Sequence, residues 1–379
     1  MKAIVNGRII VPNEVLEEKV LVIQNGKITD IADIAPAEAE VIDAKGLIVS
    51  PGFVDVHIHG SMGADVMDGT VDAIKTIAFG IAQYGTTSFL PTTLTMARKD
   101  VYKSLEAVRS LQEEVISGAE VLGAHLEGPF INVKYKGAQN EAFVIAPDYE
   151  WVQDFSDVIK LITYAPEMDS DFELTKKVRE ETDVILSIGH SDASYKLANQ
   201  AIRHGCSHVT HLFNGMRGLH HREPGIIGAV LINDAVFTEL IADKVHVNEK
   251  LFQFVLNNKG AERIVLITDS IRAGCMEDGV YDIGGQDAHV VEGVARLADG
   301  TLAGSVLTLN KAVRNFYENT NATLTEVIHM ASLNPATSIN VEGRKGSLEI
   351  GKDADVIFLD DEFNCYLTLV NGMLVARKC

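Results

Sequence analysis

Two histidines spaced two residues apart are the first candidates for chemistry. His57 and His59 end the apolar run 53–58, within the segment P-G-F-V-D-V-H-I-H-G. Side chains alternate between the two faces of a strand, so both imidazoles would point to the same side. A single histidine there would more often be a hydrogen-bonded turn residue, but a same-facing pair suits metal coordination. We therefore expect a metal site at this strand end.

Other potential ligands follow later apolar runs. Glu127, His190 and His211 supply the nitrogen and oxygen donors that suit Zn²⁺ or Fe²⁺. A metal lowers the pKa of a bound water to about 7, which yields a nucleophile near neutral pH. Asp269 is the natural general base for that water. Singly, Glu127 also fits a salt bridge at the rim and Asp269 a helix N-cap. Their joint occurrence favours a catalytic metal site, in which Glu127 could bridge two ions.

The elements that would position these residues alternate along the chain. Helical patterns occupy the spacers, at 71–84, 101–115, 174–181, 195–204 and 249–257. Eight apolar runs precede or separate them: 53–58, 86–91, 121–126, 160–164, 184–188, 208–212, 237–242 and 264–268. Eight strands with helical crossovers predict an α/β fold, a (β/α)₈ TIM-like barrel. All strand ends of a barrel meet at one rim, so the candidate residues would share one cavity.

The two chain ends have a different pattern. Both are rich in short β-type segments separated by turn residues such as Asn-Gly. Chain termini often lie close together, so the ends could pair. We expect a small β-sandwich domain from residues 1–50 plus 346–379, and a catalytic barrel from residues 51–345.

Composition narrows the class of protein. The 379 residues are 46% hydrophobic and carry a formal charge of −20, which argues against a nucleic-acid or anionic-membrane surface. There is no apolar leader or run of membrane-spanning length, so we expect a cytoplasmic protein. The cysteines are far apart and form no C-x-x-C pair, which argues against a disulfide framework; they are Cys206, Cys275, Cys365 and Cys379. Without a nucleotide-type glycine loop, no nucleotide cofactor is indicated.

Several motifs carry a family resemblance. P-G-F-V-D-V-H-I-H-G resembles the metal motif of the amidohydrolase superfamily. H-L-E-G-P-F, G-H-S, T-H-L-F-N, H-H-R-E-P-G, A-D-K-V-H-V and T-D-S, in this order, resemble the N-acetylglucosamine-6-phosphate deacetylase family. The segment K-G-S-L-E-I-G-K-D-A-D-V-I resembles the return of that family into its β domain, so the resemblance covers essentially the whole chain.

The resemblance implies a metal-dependent hydrolase that releases acetate from N-acetyl-D-glucosamine 6-phosphate, in amino-sugar metabolism. It implies that Glu127, His190 and His211 hold the main metal. His57 and His59 match a second-metal pair that some members lack, so one or two divalent ions are expected. Zn or Fe is expected first, with Mn, Co or Ni as alternatives.

The resemblance also implies the remaining site residues. Asp269 matches the catalytic acid/base. Arg222 would reach the substrate phosphate from the partner subunit of a homodimer, beside a basic stretch at 220–222. Gln139 stands where some members have histidine; it can donate a hydrogen bond but cannot be cationic. The substrate-binding positions are Ala138, Gln139, Asn214, Gly215, Arg222, His246, Leu302, Ala303 and Gly304.

Two alternatives remain open at this point. The chain could be another amidohydrolase acting on a different N-acyl or cyclic amide, although many of those bridge their metals with a carboxylated lysine. It could also be a non-catalytic barrel used as a scaffold. Degenerate barrels should have lost ligands, whereas all the candidate donors are present here.

Overall fold

The predicted parallel strands are present in a computed structural model that describes residues 1–112 and 114–378. They lie in two sheets in which every pairing is parallel. The first sheet contains, in order, Glu120–Val121, Thr86–Pro91 and Phe53–Ile58. The second contains Ala124–Glu127, Ile159–Tyr164, Ile185–Ile188, His208–Val209, Phe237–Ile241 and Ile264–Ile267.

The two parallel sheets adjoin at two junctions. An isolated parallel bridge joins Thr92 to His125 at one junction, and another joins Ile58 to Ser270 at the other. At the second junction the amide of His59 donates to the carbonyl of Ser270 at 2.8 Å. The mixed α/β class is therefore confirmed, with a curled parallel sheet at its centre.

The third predicted strand, 121–126, is wrong as one continuous element. It is divided into Glu120–Val121 and Ala124–Glu127, which pair with different neighbours. Gly123 separates them with φ +140°, and a Cβ there would lie 2.6 Å from the carbonyl oxygen of Val158. The chain turns tightly at this glycine, so the strand cannot continue through it.

One predicted helix agrees with the structure residue for residue. Tyr195–His204 starts after Ser194, whose hydroxyl accepts from the amide of Leu197 at 3.3 Å. It ends at Gly205, which has φ +117°. The N-cap hydroxyl and the left-handed glycine are the usual start and stop signals of a helix.

Other helices differ from their predicted bounds. The prediction 101–115 is observed as Arg98–Arg109, and its residue Glu113 lies outside the described part of the chain. The described α-helices are Val71–Ala82, Arg98–Arg109, Glu150–Gln153, Glu173–Glu181, Tyr195–His204, Gly225–Leu231, Phe252–Lys259, Leu309–Glu318, Leu324–Ala331 and Leu333–Ser338.

The chain ends form two further sheets, as their β-rich patterns predict. One contains, in order, Lys27–Ala32, Val20–Gln24, Lys2–Val5 and Glu40–Asp43. The other mixes strands from both ends: Met373–Arg377, Cys365–Val370, Val356–Leu359, Ile48–Pro51, Arg8–Val11 and Glu14–Leu16. Ile4 and Ile23 of the first sheet share one buried cluster with Val49, Val356 and Leu369 of the second.

A buried lysine links these end sheets to the parallel strands. Lys345 is 1% exposed, and its ammonium lies 2.6 Å from Glu120, 2.9 Å from Asp353 and 2.8 Å from Asp355. Arg344 adds bonds of 2.6 Å to Glu120 and 2.9 Å to Asp353. Buried charges are stable only when paired in this way.

Sequence patterns did not predict a three-stranded antiparallel sheet, which contains Gly279–Ile283, Gln286–Val291 and Val294–Arg296. Its inner face buries Ile283, Ala288 and Val290 against Leu94 and Ile271. A smaller pair, Gly60–Ser61 and Ala64–Asp65, follows the first parallel strand.

The helices and the cysteines bear on the predictions made from composition. Within residues 1–112 and 114–378, no helix combines the length and the apolar character that crossing a membrane requires. Cys206, Cys275 and Cys365 are free thiols, while Cys379 lies outside the described residues.

Candidate metal centre and active site

The strand ends enclose a cavity of about 210 Å³. Most of the residues predicted from the sequence line it. They are His59, Glu127, Ala138, Gln139, His190, His211, Asn214, Gly215, His246, Asp269, Leu302 and Gly304.

Three predicted site residues do not line this cavity in the described chain. His57 is completely buried directly beside it. Arg222 is exposed, and its guanidinium contacts the ring of His221 at 2.8 Å. Ala303 packs in the core of the antiparallel sheet, and its amide donates to the carbonyl of Ala295 at 3.1 Å. Because the N–H of Ala303 already donates to Ala295, it cannot also provide the predicted contact of Ala303 with the substrate.

Glu127, His190 and His211 form a first group of donor atoms. Oε1 of Glu127 lies 3.1 Å from Nε2 of His190 and 3.3 Å from Nε2 of His211, and the two ring nitrogens are 3.2 Å apart. A tetrahedral ion about 2.0 to 2.2 Å from each ligand spaces those ligands about 3.3 to 3.6 Å apart. The donor separations are close to that spacing, so this group fits a divalent metal.

A second group of donors adjoins the first. Nε2 of His57 and Nε2 of His59 are 3.3 Å apart, and Oδ1 of Asp269 lies 3.5 and 3.2 Å from them. Oε2 of Glu127 is 3.3 Å from Nε2 of His59. Oε1 of Glu127 also lies 3.4 Å from Nε2 of His57, so the carboxylate stands between the two groups and contacts both.

The four histidines present the same nitrogen to these groups. In each ring Nδ1 contacts an oxygen that can only accept a hydrogen bond, so Nδ1 carries a proton and Nε2 is the nitrogen left for a metal. The contacts are His57 to Glu239 (2.9 Å), His59 to the Thr92 carbonyl (3.1 Å), His190 to the Tyr135 carbonyl (2.8 Å) and His211 to the Asn214 carbonyl (3.0 Å). This is the arrangement that metal-binding imidazoles require.

The electrostatics of the donor set also favour a cation. Burial acts to raise the pKa of Glu127, but His57 and the other imidazoles keep it well below the usual value. The pKa of Asp269 is likewise lowered against burial by His57 and His59. Burial lowers the pKa of His57, yet Glu127 and neighbouring carboxylates raise it well above its ordinary value. The described lining contains no lysine or arginine, so a metal ion would supply the positive charge this pocket demands.

Three of the donors have unusual backbone conformations. His190, His211 and Asp269 have φ values of +47°, +31° and +49°. Residues with a side chain seldom adopt this region, and such strain concentrates at functional sites. At Asp269 the amide donates to the carbonyl of His57 at 2.9 Å, which holds the turn in place. This turn directs the carboxylate into the cavity.

His246 lines another side of the cavity. Its Nδ1 lies 2.7 Å from a carboxylate oxygen of Asp243. Burial acts to lower the pKa of His246, but the bond to Asp243 raises it overall. A protonated imidazole at this position suits an anionic substrate group.

Sequence reasoning missed two polar residues beneath the donors. Glu239 is completely buried, and besides His57 its carboxylate accepts from the amide of His211 at 3.1 Å. His125 is also fully buried, with ring contacts to the Val56 carbonyl at 3.1 Å and the Thr163 hydroxyl at 2.7 Å. The available signal was a charged or titratable residue inside an otherwise apolar strand.

Comparison with known proteins agrees with this geometry. Residues 48–375 match the model of the Amidohydrolase family. The N-acetylglucosamine-6-phosphate deacetylase of Bacillus subtilis (strain 168) is 39% identical over 374 residues, which are 96% of this chain and 94% of the relative. The N-acetylgalactosamine-6-phosphate deacetylase of Escherichia coli O157:H7 is 36% identical over 350 residues, 91% of this chain and 92% of the relative. The crystal structure of N-acetylglucosamine-6-phosphate deacetylase from Pasteurella multocida covers 100% of both chains with a TM-score of 0.94 and 30% identity. This chain belongs to the amidohydrolase family.

Proposed function

We propose that this protein hydrolyses N-acetyl-D-glucosamine 6-phosphate to D-glucosamine 6-phosphate and acetate, a step of amino-sugar metabolism. The observation that carries the proposal is the position of Asp269, whose Oδ1 is 3.2 Å from His59 at a cavity that Glu127, His190 and His211 also line. The proposal is supported by the 39% identity to a relative named for this reaction.

Glu127, His190 and His211 would hold the main divalent metal, and His57 with His59 would hold a second. A bound divalent ion supplies Lewis acidity toward the acetamide carbonyl and lowers the pKa of water. Zn or Fe suits these nitrogen and oxygen donors best, and Mn, Co or Ni are alternatives.

Asp269 performs the proton transfers of the proposed reaction. Its carboxylate accepts a proton from the attacking water as the new C–O bond forms at the acetyl carbonyl carbon. It then donates that proton to the sugar nitrogen as the C–N bond breaks. The bond cleavage yields acetic acid and the free amine, and the carboxyl proton of the acid then passes to the amine, so that acetate and the protonated amine are the products. An amine is a poor leaving group unless it is protonated, which is why an acid must be held at this position.

The sugar phosphate would be held by His246, Asn214 and Gly215, all of which line the cavity. We place Arg222 at the same phosphate, supplied by a second subunit, because its side chain is exposed and lies outside the cavity of its own chain. Arginine binds phosphate through two parallel hydrogen bonds. Molar mass in solution tests the dimer: a monomeric active enzyme would exclude this role of Arg222.

We also propose that the parallel strands form one closed (β/α)₈ barrel, residues 51–345, in which Glu120–Val121 and Ala124–Glu127 together make the third of eight strands. Residues 1–50 plus 346–379 would form a small β-sandwich domain. Support for closure comes from the bridges Thr92 to His125 and Ile58 to Ser270. Support for the second unit comes from the buried cluster that the two end sheets share.

A second candidate substrate is the C4 epimer, N-acetyl-D-galactosamine 6-phosphate, because a relative at 36% identity is named for it. Acetate release is to be measured from both phosphorylated epimers and from unphosphorylated N-acetyl-D-glucosamine. We expect the highest kcat/KM with N-acetyl-D-glucosamine 6-phosphate and a large loss without the phosphate. Equal rates with and without phosphate would contradict the assignment, and a higher rate with the galactose epimer would replace it.

A further inference from the structure

Gln139 connects the loop after strand Ala124–Glu127 to the carboxylate at the end of that strand. Its side chain is only 5% exposed. Nε2 donates to Oε2 of Glu127 at 2.7 Å, and Oε1 accepts from the amide of Thr95 at 2.7 Å. Both ends of the amide are therefore engaged by protein groups rather than left free toward the cavity.

The orientation of this amide follows from its partners. The backbone N–H of Thr95 can only donate, so the atom that it meets must be the carbonyl oxygen of Gln139. The other end is then the NH₂ group, and it faces a carboxylate that accepts. Flipping the amide would place two donors together at Thr95 and two acceptors together at Glu127.

The bond from Gln139 falls on one particular oxygen of Glu127. Oε1 is the oxygen that lies 3.1 Å from His190, 3.3 Å from His211 and 3.4 Å from His57. Oε2, which Gln139 holds, is the oxygen 3.3 Å from His59. A hydrogen bond to Oε2 alone opposes rotation of the carboxylate, and so keeps Oε2 beside His59 while Oε1 stays between the two donor groups.

The loop that carries Gln139 is itself anchored. The amide of Gln139 donates to the Lys136 carbonyl at 2.9 Å. The side chain of Gln286, on the antiparallel sheet, donates to the Ala138 carbonyl at 2.7 Å. The position of the Gln139 side chain is therefore fixed from two directions.

We propose that Gln139 is a positioning residue that orients Glu127 as a bridge between the two donor groups, and that it thereby sets occupancy of the His57–His59–Asp269 site. This inference rests on the metal assignment made under the proposed function. It assigns Gln139 to the ligand shell, whereas the family resemblance assigns this position to substrate binding. Residues that hold metal ligands typically change metal affinity by about 10- to 100-fold when replaced.

The test is metal binding by Gln139→Met, which keeps the length of the side chain but removes the donor and the acceptor. Metal-free protein is titrated with Zn²⁺ by calorimetry, and the bound zinc is counted by mass spectrometry after gel filtration. Asn140→Ala is the control, because the side chain of Asn140 accepts from the amide of Ala142 at 3.1 Å and makes no contact with Glu127 among the described residues.

We expect two zinc ions per subunit for the unmodified protein and for Asn140→Ala. For Gln139→Met we expect one tightly bound ion and a second about 10- to 100-fold weaker. The retained ion also reports that the variant is folded. Two ions bound with unchanged affinity by Gln139→Met, or loss of both ions together, would overturn the inference. Binding of a single ion by the unmodified protein would also overturn the inference about Gln139. The proposed deacetylase function would still stand in that case, with one metal per subunit.

Discussion

Nδ1 of His57 donates to Oε2 of Glu239 at 2.9 Å, and both side chains are completely inaccessible to solvent. The bond fixes the proton on Nδ1 and directs Nε2 toward His59 and Asp269. A carboxylate behind an imidazole orients the ring and raises its basicity as a ligand. The strand Phe53–Ile58 is thereby coupled to the strand Phe237–Ile241 through a buried contact.

Replacing Glu239 by glutamine should weaken the hydrogen bond that orients His57, and it should not create a cavity because the two side chains have nearly the same size. We expect the affinity of the His57 and His59 site for Zn²⁺ to fall by about 10- to 100-fold. Calorimetric titration of metal-free protein measures the change, and exposed Glu262→Gln serves as control. Unchanged affinity at both sites would show that Glu239 has no role in orienting His57.

The two donor groups should respond differently to loss of one imidazole. His211→Ala removes a ligand from the Glu127 group, so we expect loss of the main metal and of acetate release. His59→Ala should leave one metal per subunit. Metal counting after gel filtration distinguishes the two variants. If His59→Ala lost all metal while His211→Ala retained it, the assignment of main and second sites would be reversed.

Asp269→Asn should keep the volume of the side chain and remove its capacity to accept a proton. We expect turnover to fall by about 10²- to 10⁴-fold, which is the usual contribution of a general acid–base group. The Glu127 group should still bind its metal. Steady-state kinetics with N-acetyl-D-glucosamine 6-phosphate, together with metal counting, check both parts. Near-normal turnover would remove Asp269 from the proton-transfer role.

Lys345→Met should destabilise the fold, because buried Asp355 would lose its cation and Glu120 and Asp353 would each lose one of theirs. Breaking a buried ion pair costs about 3 to 5 kcal/mol, and urea unfolding at pH 7 measures it. Exposed Lys311→Met is the control.

The same network predicts a pH dependence of stability. Burial acts to raise the pKa of Asp353, but Lys27, Lys345 and Arg344 lower it from 3.8 to about 2. A lowered pKa contributes stability that is complete above the unfolded value and is lost as the pH falls toward the folded one. The difference between the unmodified protein and Lys345→Met should therefore shrink between pH 4 and pH 2. A difference that grew over this range would contradict the network.

Local patterns in the sequence predicted which side chains would lie together in the two donor groups. The two-residue spacing of His57 and His59 predicted same-facing imidazoles, and their ring nitrogens are 3.3 Å apart. The strand-end positions of Glu127, His190 and His211 predicted a shared cavity, which all three line. Strand periodicity acts over short segments, and the carboxyl ends of neighbouring parallel strands meet at one edge of a sheet, so both features can be inferred from one sequence.

Contacts made at long range could not be inferred in this way. Glu239 meets His57 across 182 residues of sequence, and only its charge within an apolar strand marked it. The antiparallel sheet 279–296 buries Ile283 against Leu94, a partner that no local pattern names. Gln139 lies on a loop that folds back onto Glu127. Its amide side chain indicated a polar contact, but the sequence could not show that Glu127 would be the partner.

The most direct test of metal-dependent deacetylation is acetate release from N-acetyl-D-glucosamine 6-phosphate by protein of measured metal content, before chelation, after chelation and after restoring Zn²⁺ or Fe²⁺. We predict stoichiometric formation of acetate and D-glucosamine 6-phosphate by the metal-loaded protein, loss of activity on chelation and recovery when metal returns. Full activity in metal-free protein, or no acetate from protein whose Glu127 site is loaded, would contradict the account.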